Sequence, residues 1–298
     1  MQLLNKLLRR PEPDSQPKTT LTAHLLSSTQ AEYQAATQSP FLLAAAQGRL
    51  SKPVLGRWLA VDRLYFHSYI RAAGRLLASL DLPQGVPKSG EEEAAETRLV
   101  DWIVEDLVRI REVERQLVDV AARYGIEIGV EGGREVGPVK PGEGGVGGLP
   151  GVSAMEEILE SVAKPEEGGV EVKSHPTAPA VLPWLEAAVM FWGTERCYVD
   201  AWSWARERQV VVGRGEEGEA VAGDDDADGG ALRREFIPSW SSDELRGFVA
   251  RLGDIIDRAV DAAVERGGKE VRAEVLRRVE GKWRSLVVAE GGFWPVVE

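Results

Sequence analysis

Three acids in this chain stand where helical acids are seldom found. Asp62 has Trp58, Leu59, Tyr65 and Phe66 three and four positions away on either side. Glu195 has Phe191, Trp192, Tyr198 and Val199 at the same offsets, and Glu290 has Leu286, Val287, Phe293 and Trp294. On an α-helix these offsets share one face, so each carboxyl is expected to lose its water when that face packs. A carboxylate deprived of water pairs with a cation, accepts hydrogen bonds, or keeps its proton. Carboxyls perturbed in this way collect at functional sites. Taken alone, Glu195 reads equally well as a structural acid satisfied by a Tyr or Arg from another helix. Three such acids on three different helices point instead to one buried polar pocket. Glu186 passes the same neighbour test, but it sits in the first helical turn after Pro183, where the helix dipole stabilises an acid. Glu105, Asp200, Asp254 and Glu274 have charged or small polar neighbours and read as surface.

The elements that must position these acids are helices. Residues 180–208 form the organising segment, in which Leu185, Ala188, Trp192, Glu195, Val199 and Trp202 recur at three- and four-residue steps. Thr20 or Thr22 is placed to cap a first helix over 22–38, which the Ser39-Pro40 step must end. A short helical piece covers 41–50. Ser51 and Pro53 then open a helix running to about residue 81, which carries Asp62. A second long amphipathic helix is expected over 94–124, with Leu99, Trp102, Ile103, Leu107, Ile110, Val113 and Leu117 on its inner face. Near the C-terminus a helix starts at Ser241 or Ser242, breaks at Gly267-Gly268, and is followed by a last helix over about 270–288. Glu290 joins the set if that last helix or its turn extends far enough. No segment alternates as a strand does, so the fold class is all-α, an antiparallel helical bundle.

Residues 1–18 read as a disordered leader and 19–298 as a single helical domain with two insertion loops. The first, at about 125–177, is glycine-rich with one short helix expected over 153–163. The second, at about 213–230, is an acidic run that reads as solvated. Its DDDAD phrase lacks the ligand spacing of a calcium loop, and no Glu-x-x-His is present for a di-iron site, so no metal and no cofactor are expected.

A formal net charge of −12 and a pI near 5.0 count against nucleic acid or an anionic membrane as the partner. No run of 18 apolar residues is present to cross a bilayer. The single cysteine, Cys197, excludes an internal disulfide and fits a reducing, cytoplasmic setting, although the basic, acid-free first ten residues leave a targeting segment open.

The phrase FLLAAAQGRLSKPVLGRWLAVDRLYFHSYIRAAG resembles the opening of TenA/THI-4 proteins, where a phrase ending in Gly-x-Leu precedes a helix bearing Asp-x-x-Tyr. Glu290-Gly-Gly-Phe293-Trp294 is similar to the same family's closing Glu-x-x-Phe-Trp. The resemblance covers most of the chain outside the insertions. It implies a heme-oxygenase-like bundle and hydrolysis of the aminopyrimidine of thiamin or of its breakdown products. Under it, Asp62 binds the ring, Tyr65 supports the site and Glu290 is the acid/base. Trp240 of the FIPSW phrase falls near an aromatic pocket position, and Tyr198 completes the substrate-binding set. The nucleophilic cysteine of the better-known branch has no counterpart, since Phe191-Trp192 stands in its place. The chain therefore resembles a cysteine-less branch in which Glu195 and Glu290 share the proton transfers. Cys197 reads as a small buried hydrophobe and His24 as no haem ligand. The rival from another class is a non-catalytic relative that binds a small heteroaromatic ligand or serves as a homo-oligomeric scaffold.

Overall fold

The computed structural model describes residues 19–85, 90, 92–129, 150–162, 181–209 and 225–297, and every regular element among them is helical. The leader expected over 1–18 and most of the two expected insertions lie outside the described residues.

The region expected to form one helix over 22–38 is two, α1 (Leu21–Ser28) and α2 (Gln30–Thr37). Thr20 is the cap, its hydroxyl accepting from the Ala23 amide. The break falls at Thr29, whose hydroxyl donates to Leu25 O and accepts from the Trp283 indole at 2.7 Å. A tertiary partner therefore decides this joint, which local periodicity does not show. Ser39 and Pro40 start α3 (Pro40–Ala46), and α4 (Lys52–Ser79) follows with Asp62 buried near its middle. Helix α5 (Ala95–Tyr124) ends at Gly125, whose φ of 62° is the left-handed cap that a glycine adopts without strain.

The short helix of the first insertion is α6 (Pro150–Ser161), which buries Met155 and Leu159 against α4 and α9. Helix α7 (Leu185–Glu207) runs through the centre. It was expected to bury one stripe, yet residues 187–195 are buried without interruption, because helices pack around it on all sides. Gly193 marks its tightest contact: a Cβ there would lie 2.3 Å from Leu286, on the helix that runs alongside.

The last members of the acidic run are not solvated. Asp228 caps the segment that follows, accepting from the Gly230 and Leu232 amides, and Asp226 is bonded to Arg233 through two of its guanidinium nitrogens. They anchor a π-helical turn (Leu232–Phe236) and α8 (Ile237–Trp240), which deliver Trp240 to the core. Ser242 caps α9 (Asp243–Gly291) by accepting from the Leu245 amide. The expected break is present at Gly268 (φ 73°, ψ −154°), but the helix beyond it runs to Gly291 rather than 288, so Glu290 lies in its last turn. No helix among the described residues is long and apolar enough to cross a membrane.

Candidate functional site

Asp62 from α4, Glu195 from α7 and Glu290 from α9 border one cavity of about 550 Å³, together with Tyr65, Tyr198 and Trp240. The six residues singled out from sequence are thus brought together, although they come from four separate helices. The cavity floor is aromatic. The Trp58 ring lies 5.4 Å from Trp202, 5.6 Å from Trp240 and 5.9 Å from Trp294, and Trp202 and Trp240 are 4.7 Å apart. Tyr65 meets Phe293 edge-on at 5.9 Å. Such walls accept a flat ring by stacking or edge contacts.

The polar groups fall into two kinds. Glu195 Oε2 accepts a hydrogen bond from Arg109 Nη2 at 2.7 Å, and the same nitrogen lies 2.6 Å from Asp106 Oδ1. The second Asp106 oxygen accepts from the Tyr69 hydroxyl. Asp62, by contrast, is 1% exposed, and among the described residues its Oδ2 has no hydrogen-bond partner and the buried Tyr198 hydroxyl has none either. Glu290 is half-buried and borders the cavity, and no basic side chain among the described residues pairs with it.

This division sets the charge states. Burial, and then the Glu195 charge, pushes the Asp62 carboxyl up to about 8. Burial, then Glu195 and Asp62, pushes Glu290 up to about 8 as well. At neutral pH both are therefore mostly protonated, each offering one donor and one acceptor. Burial also raises Asp106, against the opposing pull of Arg109. Burial holds the Tyr65, Tyr69 and Tyr198 hydroxyls well above the usual phenol range, so they remain neutral donors.

Sequence reasoning missed Arg109, Asp106 and Tyr69. For Asp106 the signal was available: Trp102, Ile103 and Ile110 occupy three of its four flanking positions. Arg109 had none, because it sits among Glu105, Asp106 and Glu112 and looks like one more surface ion.

The remaining singled-out residues fall elsewhere. Glu186 is tied to Arg278 through both of its oxygens and is structural. Asp200, read as surface, is half-buried and accepts from the Tyr33 hydroxyl at 2.7 Å, while Glu105 is exposed at the cavity mouth beside Arg251. Cys197 is 1% exposed and does not line the cavity; burial raises its thiol well above the ordinary range, so it is no nucleophile. His24 is hydrogen-bonded to Glu280 on the outside of the bundle, His67 to Glu114, and His175 lies outside the described residues.

No family model matches the chain. A TenA homologue from Pyrococcus furiosus superimposes with a TM-score of 0.56 at 16% identity, covering 92% of this chain and 97% of that one. A TenA family transcription regulator from Silicibacter sp. TM1040 does so with a TM-score of 0.56 at 12% identity, covering 92% and 94%. At these identities the likeness establishes the fold, which is the all-α, heme-oxygenase-like bundle of TenA proteins. A curated protein from Fusarium pseudograminearum (strain CS3096), described as a probable transcription factor, is 23% identical over 286 residues. That match covers 89% of this chain, which spans about half (49%) of the curated relative's length.

Proposed function

We propose that this protein is a hydrolase of the TenA/THI-4 type, of its cysteine-less branch, acting on amino- or formylaminopyrimidine breakdown products of thiamin. The observation that carries the reading is the meeting of Asp62, Glu195 and Glu290 at one aromatic-walled cavity, with Asp62 left unpartnered. A neutral Asp62 carboxyl can donate its O–H to a ring nitrogen while its carbonyl oxygen accepts from the adjacent exocyclic amine, so two hydrogen bonds fix the ring in plane. Tyr65, Tyr198 and Trp240 frame the ring.

Hydrolysis then needs a base for water and an acid for the leaving nitrogen. Glu195, paired with Arg109, takes a proton from water as its oxygen bonds to the electrophilic carbon. Glu290 gives its proton to the nitrogen as the C–N bond breaks, and the proton taken by Glu195 returns through solvent to Glu290. With Cys197 outside the cavity, water is the attacking group.

The test is turnover of aminopyrimidine and formylaminopyrimidine by the full chain and by Glu195→Gln and Glu290→Gln. Loss of product in both variants, with unchanged far-UV circular dichroism, supports the reading; full activity in both sinks it. The rival, a non-catalytic ligand-binding protein, draws support from the absence of a cysteine among the described residues that line the cavity. Thermal stabilisation by these pyrimidines or by thiamin without any product would favour it.

A further inference from the structure

The cavity is lined by two cations, Arg109 and Arg251. The Arg251 side chain is 56% exposed and paired with Glu105 outside, whereas that of Arg109 is 23% exposed and sits over the Phe248 ring at 4.8 Å. Among the described residues Arg109 is therefore the lining cation able to compensate charge within the site. It is shared by two buried acids, and its Nε is buried without a partner among the described residues. An arrangement selected for stability would not leave a buried donor unused or set two carboxylates against one guanidinium.

The structure assigns Arg109 a positioning role: clamped by Asp106, and through Asp106 by Tyr69, it holds Glu195 as a buried, charge-paired carboxylate facing the cavity. For its catalytic consequence this inference rests on the proposed hydrolase reading; as a statement about charge it does not. The groups facing Glu195 are Asp62, Tyr65 and Tyr69 from α4, Asp106 and Arg109 from α5, Tyr198 from α7 itself, and Glu290 from α9. All but Arg109 are acids or phenols. Without the guanidinium no cation among the described residues is left to balance Glu195, so the pair of carboxyls that Arg109 releases must together retain a further proton.

The experiment is urea unfolding of the full chain between pH 5 and 8, comparing wild type with Arg109→Met, Arg109→Lys and Asp106→Asn. The loss of Arg109 is expected to add about one proton to the folded state, so the folding constant of the methionine variant falls up to about tenfold more steeply per pH unit than that of wild type. Lysine should restore the wild-type slope. A methionine variant weaker by the same factor at every pH would show that Arg109 merely packs, and would overturn the inference. If the methionine variant does not fold, Arg109→Met is made in the Asp106→Asn background, which removes one of the two stranded acids: a fall with pH steeper than that of Asp106→Asn alone is expected, and a curve parallel to Asp106→Asn overturns the inference. None of these readouts uses a substrate, so a shifted slope in a protein that turns over no pyrimidine keeps this assignment and removes only the hydrolase reading.

Discussion

Two groups of hidden acids share this bundle and meet opposite fates. Glu114 on α5 is buried, but Arg63, His67 and Arg111 all reach it, and their pull outweighs the effect of burial, so its carboxyl is held below the usual range. Asp62 and Glu290 border the cavity with no basic partner among the described residues, and burial drives both up to about 8. Depth alone therefore does not decide what a carboxyl is for; the cations within reach do. Glu114 is neutralised and serves the fold. Asp62 and Glu290 are left with their protons, which is the state a ligand or a leaving group can use.

The strongest way to break this contrast is Glu290→Gln, which removes a transferable proton while keeping shape. Turnover of a pyrimidine substrate should fall by about 10²- to 10⁴-fold, measured as kcat, with the fold retained. Next comes Asp62→Asn. For a carboxyl whose folded pKa lies above its unfolded value, the native state binds the extra proton, so stability is greatest below about pH 4 and declines as pH rises towards 8. The amide removes that penalty. Chemical denaturation should show the variant level with wild type at pH 4 and more stable at pH 8, the gain growing by at most about 1.4 kcal/mol per pH unit between. Ligand affinity should fall at the same time, which calorimetry would register.

Glu114→Ala should act in the opposite sense. Its depressed pKa contributes stability above the unfolded value that is lost as pH falls through the folded one. The variant should therefore be weaker by about 1–2 kcal/mol at pH 7, allowing for the solvent that screens its half-exposed partners, and the difference should shrink below pH 4. Turnover per folded molecule should be unaffected. The smallest effect is expected from Cys197→Ala: kcat within about twofold of wild type, because the thiol is buried away from the cavity and high in pKa. A large loss of kcat there would mean that the chemistry does not run on carboxylates.

Much of this was legible in the sequence because it is local. Helical periodicity, the Ser39-Pro40 stop, the Gly268 break and the water-poor surroundings of Asp62, Glu195 and Glu290 are all set by residues within four positions of one another. Other features were hidden because their cause is remote. The Thr29 joint answers to Trp283, and α7 loses its exposed face because other helices enclose it. Asp226 and Asp228 read as a solvated acidic run, yet they find Arg233 and two backbone amides once the π-helical turn forms.

The sequence by itself marked Asp62, Glu195 and Glu290 as acids set among apolar neighbours, since that follows from the face each occupies on its own helix. Only the tertiary structure decided which of them would be compensated. Arg109 reaches Glu195 across 86 residues of chain and two helices, and no local pattern records that meeting. Coulomb interaction depends on distance in space, whereas periodicity reports distance along the chain. The same sequence environment therefore yields an ion pair at Glu195 and retained protons at Asp62 and Glu290.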